Sequence, residues 1–281
     1  FCKILGERKG PSIASQLRVF SAMKRFMVSV AGLTVALLAL PLVGLLQRMP
    51  WSSLGNPLTN HGTLEALKVS LTVSLLATIM VFLLGTPLAW AIARVSVPGR
   101  RFIRALIMLP MVLPPVVGGT ALLFALGRQG LVGQWLNQWF GITLPFTLAG
   151  AVVAAIFVAL PFYVIAVEGA LQSAGQHLED LEDMAGTLGA SPWNVLRRIT
   201  YPQVLPAMGA GLALAWARAL GEFGATITFA GNLPGRTQTL PLATFLALEN
   251  NPEEALVLSL ILLVASLGVL IGLRDRWMPS S

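Results

Sequence analysis

Two ionisable residues, Arg218 and Glu222, stand four positions apart inside an otherwise apolar run from Ala207 to Ala230. On a helix that spacing puts both side chains on one face, where the charges can compensate each other. A charge near a bilayer centre costs about 2.5 to 3.5 kcal/mol on insertion scales, so such a pair faces protein or water. It serves either as a structural ion pair or as part of a polar pathway. Catalysis by these residues, with Glu168 as a third group, would describe an intramembrane enzyme, which needs a nucleophile or a metal close by. The sequence offers neither, because its one cysteine, Cys2, and its two histidines, His61 and His177, have no metal-ligand spacing. A phosphate loop of the form Gly, four residues, Gly-Lys-Ser/Thr is also absent, so any ATP must be hydrolysed by another chain. An ion-driven transporter would carry ionisable residues in both halves of a repeated architecture. Here the intramembrane charges occur in this run alone.

A second stretch with chemical character is the polar island Glu182 to Pro206, EDMAGTLGASPWNVLRRITYPQVLP. Leu178 to Leu188 can form a short helix, and Gly189 then falls where a helix end favours left-handed φ. Ser191 is a good N-cap and Pro192 suits the first helical position. Trp193, Leu196 and Ile199 recur at three-residue spacing until Pro202, which is expected to stop the run. Two short helices meeting at an angle, with Gly189 at the corner, are therefore expected.

The elements that position these groups follow from composition. With 56% hydrophobic and 11% charged residues and a mean hydropathy of +0.77, a soluble globular domain is excluded. An all-α integral membrane protein remains. A crossing needs about 20 apolar residues, and six segments qualify: Phe26 to Leu46, Val69 to Ala93, Ala105 to Leu126, Thr147 to Val167, Ala207 to Ala230 and Ala255 to Leu273. Assigning alternate connections to one side gathers 14 of the 19 Lys and Arg residues there. The other side keeps four, Arg48, Lys68, Arg128 and Arg236, and Arg218 lies within a span. By the positive-inside rule both termini and the 182–206 island are cytoplasmic. The net charge of +7 is thus explained by topology and not by nucleic acid, for which no aromatic-interleaved basic patch exists.

In chain order, residues 1–25 read as a basic cytoplasmic arm and not a signal peptide. Residues 26–63 hold the first span and an outer loop rich in Pro, Gly, Ser and Asn, residues 64–273 the core, and residues 274–281 a cytoplasmic tail. Arg94 to Arg104 forms a tight inner loop around a Pro98-Gly99 turn. The third span carries Pro110, Pro114, Pro115, Gly118, Gly119 and Thr120, a density of helix breakers that lipid-exposed backbone does not tolerate. It is expected to be buried among helices or to line a cavity. Gly127 to Pro145 is amphipathic and is expected to include a small helix along the outer surface. Gly209, Ala213, Ala217 and Gly221 form a small-residue ridge for close helix approach.

The island resembles the cytoplasmic EAA loop of ABC importer membrane subunits, whose pattern falls here on Asp183, Met184, Ala185, Gly189, Ile199, Tyr201 and Pro202. The spacing is intact, with Asp183 for Glu, Met184 for Ala and Tyr201 for Leu. The run Arg218 to Leu240 resembles the membrane subunits of molybdate ABC importers, kin of the sulfate permeases, through Arg218, Gly221, Glu222, Phe223, Gly224 and Ala225. The resemblance covers about Leu64 to Leu273. It implies a type I importer permease fold with six transmembrane helices, and a non-catalytic multi-pass subunit of a prokaryotic plasma membrane. Two copies would form the conduit for an oxyanion, molybdate first, with sulfate or tungstate as the alternative. An external binding protein would deliver the oxyanion, and two ATPase subunits would use ATP and Mg, this chain binding no cofactor. Glu182, Asp183, Met184, Ala185, Gly189, Ala190, Ser191 and Pro192 would meet the ATPase. Pro114, Pro115, Gly118, Arg218, Glu222 and Thr226 would line the pathway.

The charge asymmetry makes a direct prediction about topology. Reporter fusions at Asn60 and Asn137 are expected to score as external and one at Gln176 as internal. The opposite pattern would overturn the orientation.

Overall fold

The computed structural model describes residues 13–52, 54, 55, 59–95 and 98–277. All regular structure among them is helical. The described residues up to Met49 form one compact unit and those from Pro50 onward another. In the first, helix α1 (Ile13–Gln47) begins inside the expected arm, so Ile13 to Arg25 are helical. Residues 1–12 and 278–281 of the expected arm and tail lie outside the described residues. From Met23 onward most apolar side chains of α1, including Leu33, Leu37 and Leu40, are exposed, as in a helix that faces lipid.

The second unit is built on α2 (His61–Arg94), α6 (Leu148–Thr187) and α8 (Tyr201–Leu220). Every fourth residue of α2 from Val69 through Val73, Ala77, Val81, Gly85 and Ala89 is buried. The same holds in α6 for Ala151, Ala155, Ala159, Tyr163, Val167 and Leu171. Rows of residues four apart are the ridges that pack helices into one another's grooves. In lipid, close contact between small side chains replaces the hydrophobic driving force. Tyr163 fills the centre. A Cβ at Gly85 would lie 2.7 Å from its Cδ1, and one at Gly211 of α8 3.2 Å from its Cδ2. Thr86 donates its hydroxyl hydrogen to the Phe82 carbonyl at 2.7 Å, so Tyr163 is left to donate to Thr86 Oγ1, also at 2.7 Å. On α8 the buried ridge is Gly211, Ala215 and Ala219. The expected ridge is displaced around the helix, with Gly209, Ala213 and Ala217 half-buried and Gly221 exposed.

Two expected spans are broken. The third divides into α3 (Arg100–Val112) and α4 (Pro115–Leu126), bent by 119° at Leu113–Pro114. Consecutive prolines remove donors and bias the preceding residue to extended φ/ψ, and both Leu113 and Pro114 are extended (ψ 135° and 131°). The fifth stops at Leu220, and a short α9 (Gly224–Phe229) follows. Among the described residues four helices are long and apolar enough to cross a membrane, or five if the bent α3–α4 pair counts as one. The structure therefore carries four to five such spans where six were expected. Helix α8 spans 20 residues but includes Pro202, Gln203, Pro206 and Arg218, which dilute its apolar character. The small helix expected between Gly127 and Pro145 is α5 (Gly133–Phe140), with Trp135 and Trp139 paired at 5.4 Å between ring centroids. Helices α10 (Leu240–Asn250) and α11 (Pro252–Trp277) complete the unit.

The two ends of α2 are tied differently. Near its start Ser70 Oγ accepts from the Leu240 amide at 2.6 Å, and Asn60 and Thr63 donate to Glu254. At its end Arg94 reaches the helix that follows Gly175, whose φ of 41° and ψ of −137° interrupt α6.

Burial of Tyr163 between two glycines generates a test. Gly85→Val should overpack this site by about 1 to 3 kcal/mol, lowering the apparent melting temperature of the purified protein. Gly268→Ala, where a Cβ meets nothing within 4 Å, should leave it unchanged. Equal melting temperatures for both variants would show that the centre is not close-packed.

Candidate translocation pathway and coupling surface

The corner after α6 is closed by backbone bonds alone. The Ala190 amide donates to the Ala185 carbonyl at 2.9 Å and the Gly189 amide to the Gly186 carbonyl at 3.0 Å. With Gly189 at φ +83°, this is the Schellman ending that the sequence calls for. Ser191 Oγ accepts from the Asn194 amide at 3.4 Å and caps α7 (Pro192–Val195). The run does not stop at Pro202. A π-helical turn, Leu196–Thr200, lets the Tyr201 amide bond the Leu196 carbonyl and carries the chain straight into α8. The wider turn accommodates the proline ring that a regular α-helix would exclude.

Glu182 and Asp183 have different surroundings. The Glu182 carboxylate accepts from Arg94 Nη2 at 3.3 Å and from Thr200 Oγ1 at 2.5 Å, while Arg94 Nη1 donates to Glu179 at 3.0 Å. It fastens the end of α2 to both arms of the corner. Asp183 is exposed, as are Gly189, Ser191 and Pro192, while Ala185 and Ala190 are half-buried. Met184, Leu188 and Trp193 are 61%, 86% and 68% exposed, so the tip of the corner presents apolar side chains with no cover of their own. Just above it, Arg104 of α3 donates to the buried Glu168 from Nε at 2.6 Å and from Nη2, and Gln172 donates to the same oxygen at 3.0 Å. Glu168 is thus held in an ion pair between α3 and α6.

The pathway candidates converge at the two helix breaks. Arg218 Nη1 is 2.5 Å from Glu222 Oε2, but the pair does not lie along one helix, because α8 ends at Leu220. Glu222 is 2% exposed, and its Oε1 accepts from the Ala225 amide at 2.7 Å, so it also caps α9. Arg218 is 28% exposed in its side chain, and its charge is reachable from outside the chain. A Cβ at Gly224 would lie 2.6 Å from Pro115 Cβ, and one at Gly119 2.8 Å from the Ala225 carbonyl oxygen. The hinge of α3–α4 therefore abuts the α8–α9 break. Gly118 packs on Phe157, where a Cβ would lie 2.9 Å from Cε1, and Thr226 is buried. Pro114 is exposed at the hinge. Arg94, Arg104, Thr200 and Gln172 were not singled out in the sequence. Only the acidic partners they find across the fold reveal them. Among the described residues no group of three or more His, Cys, Asp or Glu could hold a metal.

A many-helix membrane chain with an apolar-tipped corner at one end and a buried charge pair at a helix break is built as the membrane component of a transporter. Residues 85–278 match the model of the family described as "Binding-protein-dependent transport system inner membrane component", and the chain belongs to that family. It is 43% identical over 251 residues to the molybdenum transport system permease protein ModB of Mycobacterium tuberculosis, covering 89% of this chain and 93% of that one. It is 40% identical over 214 residues to ModB of Escherichia coli K12, covering 76% and 92%. The sulfate transport system permease protein CysT of the same organism is 35% identical over 242 residues, covering 85% and 86%. Among solved structures, a bacterial ABC transporter involved in import of the acidic polysaccharide alginate aligns with a TM-score of 0.70 at 19% identity, covering 94% of this chain and all of that one. The fold is that of ABC importer membrane subunits, and the chain is a permease subunit and not an enzyme.

The corner yields a prediction about its own geometry. Gly189→Val places a β-branched residue at φ +83°, which should cost about 1 to 3 kcal/mol and shift Asp183 and Met184. Copurification with an ABC ATPase, the partner that the EAA-loop resemblance implies, and transport should both fall. Normal assembly and uptake would show that the loop is only a solvated connection.

Proposed function

We propose that this chain is the membrane-spanning subunit of an ATP-driven importer for molybdate. The observation that carries this reading is the 43% identity to a molybdenum permease across nine-tenths of both chains, against 35% for a sulfate permease. Two copies form the conduit, two ATPase subunits bind and hydrolyse ATP with Mg beneath it, and an extracytoplasmic protein delivers the oxyanion. A solved alginate ABC transporter in complex with its periplasmic protein has this fold, which supports the last of these partners. Sulfate or tungstate is the second reading, favoured by the sulfate permease relatives.

The chain crosses the membrane six times in this reading, with α8 as the crossing that its prolines and Arg218 disguise. Its 20 residues at about 1.5 Å each span about 30 Å, the thickness of a hydrocarbon core. Both termini and the corner face the cytoplasm, as the 14 basic residues on that side support. Met184, Leu188 and Trp193 enter an apolar groove of the ATPase, with Asp183, Gly189, Ala190, Ser191 and Pro192 around them. Glu182 and Ala185 keep the corner attached to the core. A change in the ATPase then moves the corner and, through the continuous run from Pro192 to Leu220, moves the helix end that carries Arg218.

Arg218 and Glu222 act in the pathway beside Pro114, Pro115, Gly118 and Thr226. The half-exposed guanidinium attracts the oxyanion, and Glu222 competes with it, so the anion is held but not trapped. Reconstituted transporter should take up molybdate only with ATP and the binding protein. Arg218→Gln and Glu222→Gln should each impair it, because the partner charge left uncompensated in a buried pair costs about 3 to 5 kcal/mol. The double variant should regain expression and thermal stability without regaining uptake. Full uptake by the double variant would sink the pathway role, and uptake of sulfate in preference to molybdate would decide for the second reading.

A further inference from the structure

At the end of α2 remote from the corner, Lys68 and Arg236 line a cleft of about 430 Å³ with Glu65, Val69, Thr72 and Thr147. Arg94, in the last turn of the same helix, lies about 39 Å away at 1.5 Å per residue. This cleft therefore opens at the opposite membrane face. Arg94, Arg104 and Arg218 are all paired with carboxylates. Lys68 and Arg236, by contrast, have no ion-pair partner among the described residues, and both are exposed. They are also two of the four cations that charge patterning assigns to the outer side.

A third positive feature faces the same space. Helix α6 starts at Leu148, which also lines the cleft, and its N-cap Thr147 satisfies only the Gly150 amide. The first turn of α6, which is regular up to its interruption at Gly175, and the positive end of its dipole lie at the cleft there. Thr72 adds a hydroxyl without a hydrogen-bond partner among the described residues. Arg236 is held in position by its loop. Its amide and those of Thr237 and Gln238 all donate to the Leu233 carbonyl, while Thr237 Oγ1 accepts from the Leu233 amide. Gly235, at φ +69°, brings that loop so close that a Cβ would lie 3.1 Å from Glu65 Oε2. Glu65 is the one acid lining the cleft, so two cations and a helix terminus outweigh it.

We infer that this cleft is an outer capture site for a small tetrahedral oxyanion, occupied between release by the delivering protein and entry to the Arg218–Glu222 region. The inference rests on the orientation and the oxyanion substrate proposed above. Both cations are solvent-exposed, so the hold is weak and screened beyond about 10 Å at 0.1 M salt. Such a site raises the local concentration of the anion without retaining it. The loop that carries Arg236 continues directly from α9, whose first turn Glu222 caps, which links the cleft to the pathway along the backbone.

The test uses the permease with its ATPase subunits in nanodiscs of neutral lipid and no binding protein, with radiolabelled molybdate as the probe at low salt. Lys68→Gln with Arg236→Gln should lower bound molybdate about tenfold. The charge-retaining Lys68→Arg with Arg236→Lys should restore it, and Arg128→Gln should have no effect. Unchanged binding in the neutral double variant, or no binding by the wild type, would overturn the inference. In a second assay with the binding protein added, a loss seen only as a higher half-saturating concentration of that protein in stimulating ATP hydrolysis would also overturn it, because the cations would then hold the partner and not the anion. Charge-dependent binding in a transporter that takes up no molybdate would uphold the cleft and overturn the proposed function instead.

Discussion

Close approach of α2, α6 and α8 around Tyr163 is the constraint on which the rest of the structure depends. A bilayer gives helices little hydrophobic reason to associate, so contact must come from surface shape. Small and β-branched residues at every fourth position of α2 and α6 supply that shape, and Gly85 and Gly211 leave room for one aromatic ring between them. The three-helix packing is continuous enough to shield irregular backbone beside it. It lies beside the break at Gly221–Phe223, where Glu222 is buried, whereas α3 has no buried residue and Pro114 is exposed, so within the single chain the third span is not buried as its helix breakers led one to expect.

The breaks bring chemistry into the membrane. Ending α8 at Leu220 frees Glu222 from helical geometry, so its carboxylate both pairs with Arg218 and caps α9. A buried carboxylate with a cation on one oxygen and an amide on the other has its charge compensated twice. Loss of one partner is therefore felt by the helix start as well as by the ion pair. The α3–α4 hinge rests against this start through Pro115 and Gly224.

At one end of the core, charged groups perform the fastening that small residues perform inside. Arg94 joins α2 to the corner through Glu179 and Glu182, and Arg104 joins α3 to α6 through Glu168. With Thr200 also donating to Glu182, the corner is anchored on both of its arms. Its apolar tip is consequently presented on a support tied at both arms.

Several features were legible in the sequence because they are local. The Schellman ending at Gly189, the Ser191 cap, the Gly99 turn and the small helix near Trp135 and Trp139 follow from residue types within a few positions of one another. The island pattern and the Arg218 to Leu240 run pointed to the transporter family for the same reason. Tertiary structure decided what depends on residues far apart. The buried face of α8 turned out to be Gly211, Ala215 and Ala219, because Tyr163 and Ala166 of α6 press on it, and nothing within α8 distinguishes that ridge from its neighbour. Whether Pro202 ends a helix or is absorbed by a π-turn depends on α8 being held against the core. The division between inward Glu182 and outward Asp183 was set by Arg94, 88 residues away in the chain. Hydropathy likewise read the third apolar segment as one run, and the 119° bend between α3 and α4 belongs to the fold. Spacing reports which side chains share a face, but the partner that claims the face comes from elsewhere in the fold.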